Sequence, residues 1–234
     1  MTLPMKIHPN PIIDALIEIR FTTNIHPNAV FGLLYQALKN EYPNVENLPI
    51  LQIPEQIRNM DSNFKFKPHY KIFDENFAVQ IGQDVISIAS YPKYMGWEKF
   101  SEAIFAILNK IEKTGIIKDI LRLGIRYINF FETDIYKNIN ISVAINDKII
   151  DYQSTVLRTE FTKERFSATL QVANNVNHGE KHGSVLDIDT VFVLNLANFF
   201  SEKESLINEG HQIEKELFFS LLKNSFLKDL NPEY

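Results

Sequence analysis

Ile12-Ile13-Asp14-Ala15-Leu16-Ile17-Glu18-Ile19-Arg20-Phe21 is the stretch from which the fold of this chain follows. Apolar side chains at every second position alternate with a set that contains Asp14, Glu18 and Arg20. Successive side chains of a strand point to opposite faces, so this pattern predicts a half-buried β-strand.

Helical and strand patterns alternate after this first strand. Apolar residues at helical spacing predict helices over 29–41 and 97–113. Between these helices, alternation of apolar and polar residues predicts an antiparallel meander that begins at Phe64-Lys65-Phe66-Lys67. After the second helix, the same alternation predicts a further strand over 119–131. Reduced to its core the order is β-α-β-β-α-β, so we expect a ferredoxin-like N-terminal half with an extended antiparallel sheet.

The rest of the chain predicts a second antiparallel β half that is closed by a long helix. The expected elements are strands at 139–146, 154–163, 166–174 and 184–195, a tight connection at Lys163-Glu164-Arg165, and an amphipathic helix over about 202–228. The pattern changes between Glu132 and Asn138. We therefore expect an α+β protein with halves 1–134 and 135–234, which can also form one continuous domain.

Composition excludes several classes of site. The 234 residues include no cysteine, which excludes disulfides, thiolate nucleophiles and Cys-ligated zinc. The 8 glycines form neither a dinucleotide fingerprint nor a P-loop, and we expect no cofactor. The net charge of −5 does not favour a nonspecific nucleic-acid binder or an anionic membrane surface. No apolar signal core or bilayer-spanning stretch is present, so we expect a cytoplasmic protein.

One candidate site lies on the strand predicted at 119–131. Arg122 and Arg126 share one face of it, with Gly124 between them. Because the first and last strands of a ferredoxin-like half are neighbours, Asp14 and Glu18 are expected opposite these arginines. One interpretation is a pocket for a small anion or nucleotide, in which guanidinium groups flank an opening above the glycine. We favour a ladder of paired charges, because two acids balance two arginines and buried charge must be paired.

A second candidate is a metal site formed by His178, His182, Asp187 and Asp189. Imidazole and carboxylate groups within so few positions can ligate a metal, which predicts a metal-dependent hydrolase or nuclease. The alternative is a solvated hairpin loop followed by carboxylates at the edge of a strand. We favour this alternative because the spacing matches no specific ligand pattern.

The aromatic segment Tyr91-Pro92-Lys93-Tyr94-Met95-Gly96-Trp97 allows two interpretations. Its rings can stack on a base or sugar, as aromatic side chains do in single-strand binders. They can also anchor the start of the following helix. We favour the anchoring role.

Three stretches together carry a family resemblance: Asn10-Pro11-Ile12-Ile13-Asp14-Ala15, the segment from Tyr91 to Phe100, and Arg122-Leu123-Gly124-Ile125-Arg126-Tyr127-Ile128-Asn129. The helix from His211 to Leu222 fits the same pattern. The chain resembles, over nearly its whole length, a sporadically distributed family of uncharacterised prokaryotic proteins. The resemblance implies a bacterial or archaeal cytosolic protein with a link to mobile or defence genes, and it implies no particular activity.

These observations favour a non-catalytic binding or interaction protein. The sequence contains no strong catalytic motif, and on the predicted sheet face two carboxylates balance Arg122 and Arg126. Its expected partner is another protein or a second copy of this chain. The alternatives are the metal-dependent hydrolase or nuclease and the anion or nucleotide sensor described above.

Overall fold

The computed structural model describes residues 3–149, 154–163, 166–193 and 196–234. The strands are Ile12–Thr23 (β1), Asn44–Asn47 (β2), Tyr70–Phe73 (β3), Phe77–Ile81 (β4), Val85–Ser90 (β5), Ile117–Phe131 (β6), Ala144–Ile145 (β7), Lys148–Ile149 (β8), Val156–Lys163 (β9), Phe166–His178 (β10) and Lys181–Phe192 (β11). The helices are Val30–Leu38 (α1), Glu55–Met60 (α2), Trp97–Lys113 (α3), Phe199–Leu221 (α4) and Asn224–Asp229 (α5). None of the described helices is both long enough and apolar enough to cross a lipid bilayer.

Most of the described strands belong to a single antiparallel sheet. Nine of them form it, in the order β2-β3-β4-β5-β1-β6-β11-β10-β9, and β7 pairs with β8 in a separate hairpin. Asn146 and Asp147 turn this hairpin with φ of 50° and 61°, a conformation that Asn and Asp tolerate better than most residues. The predicted α+β class is thus confirmed.

The chain divides into two compact units, each made of several segments. The long-helix unit comprises the described residues of Met1–Ile13, Arg126–Thr190 and Asn208–Tyr234, and the meander unit comprises those of Asp14–Ile125 and Val191–Ile207. The predicted halves 1–134 and 135–234 do not coincide with these units. The reason is that the division falls within β1, β6, β11 and α4 rather than in the connection after β6.

The core of the meander unit lies between its strands and α3. Ile17, Ile88 and Val79 lie opposite one another in β1, β5 and β4, and all three are fully buried. Phe77 lies two residues before Val79, on the same face of the sheet, and its ring stacks on that of Phe100 in α3 at 6.3 Å. This face is therefore covered by α3, and the charged residues of β1 lie on the opposite face.

The strand predicted to run from Phe64 towards Phe73 is confirmed only over its last four residues. A 3₁₀ turn occupies Ser62–Phe64, and strand pairing begins only at Tyr70. The ring of Phe66 packs against the guanidinium of Arg20, whose Cζ lies 4.6 Å from the ring centroid. Phe66 thus packs through a cation–π contact and not as part of a pleated strand.

The core of the long-helix unit lies between the sheet and α4. It contains Phe131, Leu186 and Ile188 from the strands and Phe218 and Leu221 from α4. β9, β10 and β11 correspond to the strands predicted at 154–163, 166–174 and 184–195, and β9 pairs antiparallel with β10 as expected. The tight turn at Glu164 and Arg165, and the predicted strand residues 194–195, lie outside the described residues.

Two predicted elements of this unit differ from the structure for one reason. Of the strand predicted at 139–146, only Ala144–Ile145 is regular strand, and Ile139 forms an isolated bridge with Leu222. The helix predicted over 202–228 ends at Leu221 and resumes as α5. The amide of Asn140 donates to the carbonyl of Leu221 and that of Lys223 to the carbonyl of Asn138, so these backbone bonds replace the helical ones.

Candidate functional site

Glu18 joins two arginines on the face of the meander unit that lies opposite to α3. The Nη1 of Arg122 donates to Oε1 of Glu18 at 2.6 Å, and the Nε of Arg20 donates to the same oxygen at 2.8 Å. The side chains of Arg122 and Glu18 are only 15% and 21% exposed, so water screens this pair incompletely. This is the cross-strand pair that the charge pattern predicts.

Gly124 makes room for Arg122 itself. A Cβ at this glycine would lie 2.9 Å from Cζ of Arg122 and would overlap its Nη1. The guanidinium therefore covers the backbone of Gly124. The sequence-based interpretation left this space open to an anion, whereas in the structure the side chain of Arg122 fills it.

A line of polar side chains crosses the same face of the meander unit. Strand register places its members opposite one another in β2, β3, β4, β5 and β1, and the line consists of Glu46, Lys71, Gln80, Ser87 and Glu18. With Arg122, which pairs with Glu18, this set is called the polar row below.

Lys71 is as enclosed as Arg122, the other cation of the polar row. Its Nζ lies 2.5 Å from Oε2 of Glu46, and it lies 4.9 Å from the ring centroids of both Phe73 and Tyr91. Only 15% of its side chain is exposed. The two rings and the carboxylate therefore compensate its charge, as Glu18 compensates that of Arg122.

Arg126 belongs to the long-helix unit and has a partner there that the sequence did not indicate. Its Nε donates to Oδ1 of Asp187 at 2.8 Å and its Nη2 to Oδ2 at 2.6 Å, which is a bidentate pair. The Asp187 side chain is 10% exposed. Asp14, expected opposite the arginines, lies half-buried in β1, four residues before Glu18 on the same face.

The four predicted metal ligands are not brought together. The ring of His178 lies against that of Phe130 at 5.4 Å, and Nδ1 of His182 lies 2.9 Å from Oδ1 of Asn177. Both oxygens of Asp187 accept hydrogen bonds from Arg126, and Asp189 is half-buried in β11. In the part of the chain that the structure describes, no three His, Asp or Glu side chains are close enough to hold a metal ion.

The aromatic segment before α3 contacts the start of that helix. The rings of Tyr94 and Trp97 meet that of Phe100 edge-on at 6.1 Å and 6.4 Å. The hydroxyl of Ser90 donates to the carbonyl of Lys93 at 2.7 Å, which fixes the loop. These contacts fit the anchoring role, since the rings are engaged within the meander unit.

Comparison with known proteins adds no constraint to this geometry. No protein-family model matches the chain, and no curated protein matches it significantly. The family resemblance therefore stays a prediction, and the functional argument depends on the residues themselves.

Sequence reasoning missed one buried carboxyl group, that of Glu214 in α4. The residue is 3% exposed, and among the described residues neither of its carboxyl oxygens has a hydrogen-bond partner. Burial raises the pKa of Glu214 well above its ordinary value, and the charges of Asp189 and Asp187 add to this effect. Thr190 is near enough to oppose the shift but forms no hydrogen bond of normal geometry, so burial prevails. The folded protein therefore keeps this carboxyl protonated at pH values where the unfolded chain has already released the proton.

His211 lies one helical turn before this glutamate. Its Nδ1 is 3.0 Å from the hydroxyl of Tyr127, which can donate to the neutral imidazole. Burial, with a smaller effect from the charge of Lys215, lowers the pKa of His211 to about 4. The imidazole is therefore neutral at physiological pH, in agreement with a satisfied core histidine.

Proposed function

We propose that this protein is a non-catalytic binding protein that contacts another protein through its polar row. The observation that supports this proposal is the alignment of the polar row by strand register on the face opposite to α3. The row is a continuous line of polar side chains on a rigid element, and rigid elements hold recognition groups in place.

The charge balance of the row favours a protein partner over a small anion. Arg122 is engaged by Glu18, and Lys71 by Glu46 and two aromatic rings. A phosphate or carboxylate would have to displace an internal carboxylate from either cation. A protein surface of matching polarity can instead approach the paired charges without breaking them, and such matching gives specificity more than affinity.

A site-specific photo-crosslinker tests this proposal in cells. We place benzoylphenylalanine at Gln80, a half-exposed member of the row, and as a matched control at Glu102, an exposed residue of α3. The proposal expects a discrete crosslinked species from position 80 and none from position 102. An adduct of twice the protein's mass identifies a second copy, and any other discrete mass identifies a different protein. If position 80 gives no discrete adduct, or both positions give the same one, the polar row is not an interaction surface.

The fold of the N-terminal half is a finer part of the same proposal. We propose that β1, β4, β5 and β6 form a ferredoxin-like unit with α1 and α3. Support comes from the sheet order β4-β5-β1-β6 and from the antiparallel pairing of β4 with β5 and of β5 with β1. Prokaryotic origin and a cytoplasmic location are proposals too, and they rest on the family resemblance and on composition.

A further inference from the structure

We propose that the meander unit binds an extended peptide along the edge strand β2, with a bulky apolar side chain of the peptide in the cavity beyond the end of β2 and an acidic side chain beside it. This inference goes beyond the proposed function. It concerns the edge of the sheet rather than the polar row, and it names a different partner, an unfolded peptide segment.

β2 presents backbone groups that no other described strand pairs with on its outer side. It is the first strand in the sheet order, with β3 as its neighbour, and all four of its residues are exposed. The amide of Leu48, just after the strand, donates to the carbonyl of His69 at 2.9 Å. Because hydrogen bonding alternates along an antiparallel pair, even-numbered residues bond to β3, and the backbone N–H and C=O groups of Val45 and Asn47 point away from the sheet. An added strand would pair with these groups.

An apolar cavity begins where β2 ends. It has a volume of about 330 Å³ and lies within the connection between β2 and β3. Small-molecule pockets start at roughly 300 Å³, so this volume suits one bulky side chain and the backbone around it. Its lining includes Leu48, Ile50, Ile53, Phe64, Pro68 and Lys67.

The cation at the cavity defines the charge of the peptide. Lys67 is exposed, and its ammonium group has no ion-pair partner among the described residues. It is the one charged group among the residues that line the cavity. An acidic side chain next to the apolar one would therefore find a partner in Lys67, whereas a basic side chain would be repelled.

A second copy of this chain fits the edge less well than a peptide. A two-fold pairing of β2 with β2 that uses Val45 and Asn47 of both copies would place Glu46 directly opposite Glu46. Like charges opposite each other in a sheet are destabilising.

The test selects a displayed library of random linear peptides against the full-length protein. The selected peptides are then measured against Val45→Pro, which removes one outward N–H, and against Val45→Thr, which keeps it. Proline is tolerated on an edge strand where its nitrogen faces solvent. Ile53→Lys places a charge in the cavity, and Lys67→Glu reverses the charge beside it. Circular dichroism verifies that each variant is folded.

The inference expects selected peptides to share a bulky apolar residue beside an acidic one. Their affinity should be unchanged on Val45→Thr and should fall about tenfold on Val45→Pro, the effect of losing roughly one net backbone hydrogen bond. It should fall on Ile53→Lys as well, and selection on Lys67→Glu should give basic in place of acidic residues. If no peptide is selected, or if those selected bind both Val45→Pro and Ile53→Lys as the wild type, the inference is overturned. Should Val45→Pro not fold, unchanged binding to Ile53→Lys alone has the same consequence.

Discussion

Replacing Glu214 with glutamine should stabilise the long-helix unit, and the gain should grow as the pH rises. Burial raises the pKa of Glu214 well above its ordinary value of 4.5. Above that pH the unfolded chain releases the proton while the folded chain keeps it. Stability contributed by this group is therefore complete below pH 4.5 and is lost as the pH rises towards the raised pKa. Glutamine has the same shape and no proton to lose, so the variant avoids this loss.

The magnitude follows from one proton. A difference of one bound proton changes the free energy of unfolding by about 1.4 kcal/mol for each pH unit. The advantage of the glutamine variant over the wild type should therefore grow by about 1.4 kcal/mol per unit above pH 4.5, until the raised pKa is reached.

His211 gives each stability curve its shape without changing the difference between them. Its pKa falls from 6.5 to about 4 on folding, so its contribution to stability is lost as the pH falls below 6.5. In the wild type the slope from His211 between pH 4.5 and 6.5 is opposed by the slope from Glu214, over the part of this range that lies below the raised pKa of Glu214. In Glu214→Gln only the histidine slope remains, and stability should rise with pH across that range.

The assay is urea unfolding followed by far-ultraviolet circular dichroism at a series of pH values. Glu216→Gln is the matched control, because Glu216 is exposed on the same helix and should give no gain that depends on pH. Parallel stability curves for the wild type and Glu214→Gln would refute the reasoning. They would mean that the folded protein holds this carboxyl in the same state as the unfolded chain.

Two further substitutions test close packing and ion pairing. Gly183→Ala would drive its Cβ into the carbonyl of Phe131, so we expect the free energy of unfolding in urea to fall by roughly 3 kcal/mol or more. The control is Gly32→Ala in α1, where the added Cβ meets open space and the free energy of unfolding should rise by roughly 0.5–1 kcal/mol. Equal effects of the two substitutions would contradict the clash. Arg126→Ala leaves the Asp187 carboxylate enclosed without its partner, and should cost about 1–2 kcal/mol after allowance for the exposure of the arginine. A double substitution with Asp187→Ala should recover part of this loss, whereas simple additivity would show that the pair is not coupled.

The sequence predicted elements well where one periodicity continues over several turns or pleats. β1 and α3 were predicted within two residues at each end, because each presents an uninterrupted apolar stripe to the core. The start predicted at Phe64 for the strand towards Phe73 rested on only four alternating residues, and four residues can alternate for other reasons. Here Phe66 packs instead on Arg20, which lies far from it in the chain. Such contacts leave no periodic signal.

The candidate site was predictable only where strand order could be anticipated. The pairing of Glu18 with Arg122 followed from placing the first strand beside β6. The partner of Arg126 comes from β11, whose place in the sheet the sequence did not indicate. Glu214 did leave a signal, since it lies four residues before Phe218 and so on the buried stripe of α4, but an acidic residue there is ordinarily taken to face water.

The interleaved composition of the two units has a consequence for protein synthesis. The meander unit needs residues as late as Ile207, and the long-helix unit needs both the first residues of the chain and the last. A ribosome must therefore translate at least as far as Ile207 before either unit has all its parts, and the nascent segment before Asp14 must wait for the residues from Asn208 onwards. For the same reason, a gene truncated after residue 134 would encode neither unit in full.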